Sequence, residues 1–238
     1  MSTNPLFKDY VPHISKAEFD DEAKKFLERY CPEALVTPMA VPIEEIASKK
    51  MGLTILEERL SEDFSILGQM CFTKGIAEIY DKDEDEYREI YVKAGTMIID
   101  PDTLLRRNLG SKRITVSHEC VHWTKHRNYH ILSSAQSGQA AKACRCPAEE
   151  KDYTYNRKWT DEDWMEWQAN GISPRILMPR ETFGLVYERL LEESKEQPFI
   201  KAKLYSQQTW IIEQLAGFYQ VSKQAARIRL CELGYLPA

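Results

Sequence analysis

Apolar residues recur at helical spacing near the start of the chain and again along its last third. Between Lys16 and Tyr30, apolar positions three and four residues apart alternate with charges, which predicts an amphipathic helix that ends before Pro32. A second, short helix is predicted from Pro42 to Ala47, with the proline in its first turn. Further helices are predicted at 161–172, 180–193, 206–219 and 222–234.

Short runs of β-branched and aromatic residues, separated by turn signals, lie between residues 53 and 99. The predicted strands are 53–56, 65–72, 76–80, 87–92 and 96–99. The acidic run 81–86 separates two of them, and we expect it to be a solvated loop, with a cation-binding or partner-binding patch as the alternative. Helices at both ends and a small antiparallel sheet between them predict the fold class α+β.

The same pattern divides the chain into three segments. Residues 1–15 form a lead-in without periodicity, 16–205 form the main domain, and 206–238 form a C-terminal segment of helix-turn-helix type. Within the main domain, residues 132–158 are small and polar, which predicts a long loop or lid.

Composition narrows the class of protein. Of 238 residues, 43% are hydrophobic and 29% are charged, which is typical of a globular protein. There is no apolar run of membrane-spanning length, and the N-terminus does not resemble a signal peptide. Six cysteines without such a signal favour reduced thiols, so we expect a cytoplasmic protein and no membrane partner.

The net charge of −5 argues against a chain that binds nucleic acid along its whole surface. A local basic patch stays open, because Lys223, Arg227 and Arg229 fall on the second helix of the C-terminal pair. The alternative is that the pair has only a structural role and packs on the core, with Phe218 and Ile228 among the residues of its core face.

The strongest chemical signal is the H-E-x-x-H pattern formed by His118, Glu119 and His122. On a helix the two histidines are one turn apart and share a face, so both imidazoles can bind one metal ion. Glu119 is rotated by about 100° from His118, which suits a general base better than a ligand. We expect a helix from Lys112 to His130, with Ser111 as its N-cap.

Two more histidines continue the four-residue spacing. His130 is too far along the helix to share the ion, and His126 is either a partner of the ligands or, as we favour, a polar residue on the emerging face.

A catalytic zinc site needs a third protein ligand, and Glu166 on a later helix is the best candidate. Ala169, one turn on, is small enough to let that helix pack closely. Glu162 is a weaker candidate on the same helix. A rival is a closed structural site formed by the two histidines with Cys144 and Cys146, which would leave Glu119 without a role.

Residues 166–170 (E-W-Q-A-N) followed by 176–179 (I-L-M-P) resemble the E-x-x-A-N-x-F-A-x-x-L-L-M-P block of the ImmA/IrrE family of bacterial zinc metallo-endopeptidases. The H-E-x-x-H block, the strand before it and parts of both ends extend the resemblance over roughly residues 40–235. The sequence departs from the family pattern at 171–174 and at 120–121, and the 132–158 segment is long for the family.

The resemblance implies a zincin-like fold and a Zn²⁺ ion held by His118, His122 and Glu166, with Glu119 as general base. It also implies hydrolysis of a peptide bond in a protein substrate, a repressor-type, helix-turn-helix transcription regulator. The alternative is a catalytically idle zinc-binding or DNA-binding regulator that uses the C-terminal helices. From its position alone, strand 96–99 is predicted to be an edge along which a substrate peptide adds.

Overall fold

The computed structural model describes residues 10–102, 109–137, 143–147 and 158–237. Its architecture is α+β, with a four-stranded sheet, a separate two-stranded hairpin and helices from both ends of the chain. The helices are α1 (Phe19–Tyr30), α2 (Ile43–Glu45), α3 (Leu109–Val121), α4 (Arg127–Ser137), α5 (Asp161–Leu177), α6 (Arg180–Lys195), α7 (Pro198–Lys201), α8 (Gln207–Tyr219) and α9 (Lys223–Glu232). The strands are β1 (Thr54–Glu57), β2 (Ile66–Cys71), β3 (Gly75–Asp81), β4 (Glu86–Val92), β5 (Thr96–Ile99) and β6 (Ala143–Pro147). Within these ranges, no helix combines the length and the apolar character needed to cross a membrane.

The four-stranded sheet has the order β1-β5-β2-β6. Strand β1 runs parallel to β5, whereas β2 runs antiparallel to both β5 and β6. Among the described strands, β3 and β4 pair with each other and with no other strand, and the acidic run forms their exposed turn. The prediction of a small antiparallel sheet is therefore confirmed only in part, because one pair is parallel and two strands form a separate hairpin.

Two predictions about the sheet are wrong. Strand β5 has a neighbour on each side, so Thr96–Ile99 is not a free edge for a substrate peptide. Residues 132–158 are not one continuous loop, because α4 extends to Ser137 and β6 pairs with β2, whereas residues 138–142 and 148–157 lie outside the described ranges. The five residues of β6 lack an alternating apolar pattern, and their pairing with β2 supplies the backbone hydrogen bonds that define the strand.

Helix α1 confirms the amphipathic pattern at the start of the chain. Phe19, Ala23, Phe26 and Leu27 are buried on one face. This face packs against α5, where Gly171 allows the close approach: a Cβ at that position would overlap the Phe19 ring. The departure from the family pattern at this point therefore has a packing reason.

Helix α3, which carries the H-E-x-x-H pattern, begins earlier than predicted. Ser111 is inside the helix, where its carbonyl accepts a hydrogen bond from Thr115, so it is not the N-cap. Gly110 also lies inside the helix. A side chain at this position would collide with the backbone of Val221 in the turn between α8 and α9, so only glycine fits here. The helix continues through a π-helical turn, His122–His126, directly into α4.

Helix α5 is longer than predicted. Thr160 begins it through a reciprocal capping box with Asp163. The helix passes Ile172 and includes Pro174 before it ends at Leu177. Proline disrupts an isolated helix, but here both faces of the segment are held by the core.

The C-terminal helices are capped by Ser206 and Ser222, the second as predicted. Leu215 of α8 belongs to the same buried cluster as Val116 of α3, so the pair packs on the core of the main domain. Ile228, expected on the core face, is 45% exposed.

Candidate metal centre

Two imidazoles and one carboxylate converge in the interior of the protein. His118 lies in the last turn of α3 and His122 begins the π-helical turn, and their Nε2 atoms are 2.8 Å apart. Glu166 reaches them from α5, with its Oε1 3.1 Å from His122 Nε2 and its Oε2 3.4 Å from His118 Nε2. All three side chains are buried. The structure thus brings together the three residues predicted as metal ligands.

These distances fit a single bound ion. Ligand atoms about 2.0–2.2 Å from a tetrahedral zinc ion stand roughly 3.3 Å from one another. Among the described residues, His118, His122 and Glu166 form a cluster whose ligand atoms all lie within 4.8 Å. In addition, Glu166 Oε2 is buried without a hydrogen-bond donor. A buried carboxylate oxygen is stable only when a donor or a cation partners it, so the residues fit a metal ion.

Close packing between α3 and α5 positions Glu166 next to the two histidines. Ala169, one turn after Glu166, is fully buried, as its small size suggested. Ser117, the residue before His118, donates a hydrogen bond of 3.1 Å to the carbonyl of Ser173 on α5. The two helices are therefore held together beside the ligands. Glu162, the weaker candidate one turn earlier on α5, is exposed and is not part of the ligand cluster.

The protonation states of the ligands suit a cation. Burial alone would raise the pKa of Glu166, but His122 and His118 outweigh it and place the pKa well below its usual value. Burial lowers the pKa of His122, although the Glu166 charge opposes the change. The result is an ionised carboxylate beside a neutral imidazole, and these are the forms that donate electron pairs to metal ions.

Glu119 lies beside the ligand triangle and packs against the sheet. A Cβ added to Gly68 of β2 would lie 2.9 Å from Glu119 Oε1 and 2.6 Å from a methyl carbon of Thr115, so the absence of a side chain at Gly68 makes room for the carboxylate. Glu119 is fully buried, and within the described ranges neither of its oxygens has a hydrogen-bond partner. A buried carboxyl group of this kind can accept a proton from a bound molecule.

The pKa of Glu119 reflects this environment. Burial raises the pKa of this carboxyl from 4.5 to about 8, His118 opposes the change, and the Glu166 charge adds to it. A cation at the adjacent ligands would lower the pKa again, because it favours the ionised form. The general base that the sequence predicted is thus held in an environment that makes its protonation easy to change near neutral pH.

His126 lies beside the ligands, the alternative that the sequence did not favour. We expected it on the emerging face of the helix, but it is completely buried. Its Nδ1 lies 2.9 Å from His122 Nδ1, and its Nε2 lies 3.0 Å from Gln168 Oε1. The repeated four-residue spacing was the available signal, because it places His126 next to a ligand. His130 is also buried and stacks on Phe72, with 4.3 Å between the ring centroids.

The rival site with Cys144 and Cys146 stays a prediction. Both residues belong to β6, and their side chains are outside the part of the chain that the structure describes. Comparison of the sequence with protein-family models and with curated proteins found no match.

Proposed function

We infer that this protein is a zincin-type, zinc-dependent endopeptidase of the ImmA/IrrE kind. The observation that carries the proposal is the position of Glu119. Its buried carboxyl group, which accepts no hydrogen bond from any residue that the structure describes, lies next to a triangle of two imidazoles and a carboxylate. A purely structural metal site has no use for such a group. Two histidines and a glutamate form one of the ligand sets of catalytic zinc, which keeps a further position open.

The chain's own residues then have distinct roles. His118, His122 and Glu166 would hold the ion, which when bound supplies Lewis acidity to a water molecule and to a carbonyl oxygen. Glu119 accepts a proton from the water as the water oxygen bonds to the carbonyl carbon of the substrate. When the C–N bond breaks, the same carboxyl group returns the proton to the leaving amine. The reaction consumes one water and produces a carboxyl group and an amine.

The resemblance to ImmA/IrrE peptidases supports a protein substrate, a repressor-type, helix-turn-helix regulator. The alternative function, a DNA-binding regulator that uses the C-terminal helices, loses part of its support in the structure. Arg229, one of its three basic residues, is 1% exposed, and its guanidinium pairs with Asp20 of α1. It is therefore not available to a phosphate group.

The test combines metal content with cleavage. Wild-type protein, Glu119→Gln and Glu166→Ala are purified in parallel, their metals are measured by mass spectrometry, and each is incubated with a repressor encoded beside the gene. We expect zinc in wild type and in Glu119→Gln, but cleavage only by wild type, because general acid–base catalysis contributes about 10²–10⁴-fold. Glu166→Ala should lose most of its zinc.

Glu162→Ala is the matched control for Glu166→Ala, since it truncates an exposed glutamate one turn earlier on the same helix. It should keep both zinc and activity. Full zinc occupancy in Glu166→Ala would contradict the ligand assignment, and undiminished cleavage by Glu119→Gln would contradict the mechanism.

A further inference from the structure

A row of polar groups leads from the metal ligands to the N-terminal segment. His122 Nδ1 lies 2.9 Å from His126 Nδ1, His126 Nε2 lies 3.0 Å from Gln168 Oε1, and Gln168 Nε2 donates to the carbonyl of Pro12 at 2.7 Å. His126 and Gln168 are both buried, at 0% and 1% exposure. The row thus connects the π-helical turn, α5 and the chain before α1 at one end of the site.

The chemistry of the last member sets the direction of every hydrogen bond in the row. A backbone carbonyl only accepts, so the Gln168 group that faces Pro12 is the NH₂ and the group that faces His126 is the carbonyl oxygen. That oxygen also only accepts, so His126 carries its proton on Nε2. The neutral His126 ring then presents a lone pair at Nδ1, and His122 must donate from its own Nδ1.

The consequence appears at the opposite nitrogen of His122. A neutral imidazole with its proton on Nδ1 has its lone pair on Nε2, and Nε2 is the atom that faces His118 and Glu166. The row therefore leaves the metal-binding nitrogen unprotonated before any ion arrives. A reversed row would place a proton on Nε2 and block the ligand.

We propose that His126 and Gln168 are positioning residues, which together with the Pro12 carbonyl hold His122 in the tautomer that binds the metal. The proposal rests on the proposed function only in taking His122 as a metal ligand, and it requires no peptidase activity. It also gives the N-terminal lead-in a role: Val11 and Ile14 are buried on either side of Pro12 and anchor the carbonyl at the end of the row.

The proposal explains a feature that packing does not. His126 is completely buried and hydrogen-bonds to His122 and Gln168, and the core is a costly place for a polar ring that serves only to fill space. Partners of this type, which hold the second nitrogen of a ligating histidine, typically contribute about 10–100-fold to metal affinity.

The experiment compares three substitutions in the full chain. His126→Leu removes the acceptor while it fills the space, His126→Asn keeps a carbonyl oxygen near the place of Nδ1, and Gln168→Met removes both hydrogen bonds of Gln168 at similar length. Thr182→Val is the control, because it deletes a buried hydrogen bond, to the carbonyl of Ala34, elsewhere in the core. Thermal melts report the folding of each variant.

Two quantities are measured. Zinc affinity is determined by competition with a chelator, and the tautomer of His122 in the metal-free protein is determined from ¹⁵N chemical shifts, with only five histidines to assign. We expect zinc affinity to fall by about 10–100-fold in His126→Leu and by a smaller factor in Gln168→Met. His126→Asn should bind zinc more tightly than His126→Leu, and Thr182→Val should bind like wild type.

The order of the two His126 variants separates the proposal from a packing role. If His126 only fills space, leucine should serve better than the smaller asparagine, and that result would overturn the proposal. A wild-type His122 with its proton mainly on Nε2 would overturn it as well. Because the tautomer can be read in metal-free protein, a chain that shows the expected tautomer but cleaves no substrate would remove the proposed function and leave this inference standing.

Discussion

Two clusters of charged and polar side chains lie at least partly in the interior of the part of the chain that the structure describes, and they are built in opposite ways. The first, which we call the Asp20 cluster, contains Asp20, Arg175, Arg229 and Glu232. Both oxygens of Asp20 accept hydrogen bonds from Arg229, and the carboxylate of Glu232 accepts from Arg175 at 2.8 Å and from Arg229 at 3.4 Å. The exposed guanidinium of Arg180 also donates to Asp20 at 2.8 Å, so each carboxylate of this cluster has guanidinium partners.

The second cluster is the metal centre, formed by His118, His122 and Glu166 with Glu119 beside them. It contains two carboxyl groups and no arginine or lysine among the ligating residues, and three of its carboxylate oxygens have no hydrogen-bond donor among the residues that the structure describes. Burial of charge therefore does not by itself mark a functional site. A cluster whose groups satisfy one another stabilises the fold, whereas one with unsatisfied carboxylate oxygens fits a ligand such as a metal ion.

The largest effect is expected from Arg229→Met, which breaks the Asp20 cluster. Removal of one partner from a buried ion pair leaves an uncompensated charge and typically costs about 3–5 kcal/mol of the free energy of unfolding. Methionine keeps the length of the side chain, so packing loss is small. Chemical denaturation of metal-free protein measures the change. Zinc content per folded molecule should be the same as in wild type, and a loss of zinc would mean that the two clusters are coupled.

Glu119→Gln should raise the free energy of unfolding of the metal-free protein, whereas Arg229→Met lowers it. The native pKa of about 8 lies above the unfolded value near 4.5, so the folded state binds a proton that the unfolded state releases, and stability falls as pH rises between these values. Glutamine has no charge to desolvate, so this loss disappears. We expect the variant to be more stable than wild type by about 1–3 kcal/mol at pH 8, with the difference closing towards pH 5.

Denaturation of the wild type and of Glu119→Gln across that range provides the measurement. A metal-free variant less stable than wild type at pH 8 would show that Glu119 has a protein partner after all.

The two clusters also differ in how their contribution to stability depends on pH. Burial would raise the pKa of Asp20, but the hydrogen bond and charge of Arg229 outweigh it, so the native pKa lies below its usual value of 3.8. The stabilisation by Asp20 is therefore complete above about pH 4 and is lost as pH falls through the native pKa. We expect Asp20→Asn to be less stable than wild type at pH 6 and the difference to shrink as pH falls towards 3. A difference that stays constant with pH would exclude the ionic contribution.

The smallest effect is expected from an exposed pair. Lys195 lies 2.6 Å from Glu192 on α6, and both side chains are more than half exposed. Water screens such pairs, so Lys195→Met should leave the melting temperature unchanged within error. This substitution matches Arg229→Met in the residue introduced, and a comparable loss of stability in both would show that burial is not what makes the Asp20 cluster important.

The sequence by itself determined the features that depend on short-range periodicity. The four-residue spacing of His118 and His122 places both rings on one helical face, and the cap at Ser222 needs only the backbone that follows it. The α+β class and the choice of Glu166 as third ligand were also within reach of the sequence. Each of these requires only neighbours along the chain or a resemblance in motif order.

Only the tertiary structure decided where separate elements meet. Glu166 reaches the histidines because α3 and α5 pack closely, and His126 is buried because α5 and the N-terminal segment cover the π-helical turn. Sequence reasoning placed Arg229 among exposed basic residues, but Asp20 of α1 pairs with it in the fold. It also predicted β5 as an edge strand, but β1 and β2 lie on either side of it. Periodicity specifies which way a side chain points from its own element, but its partner is set by loop closure and packing between elements distant in the chain.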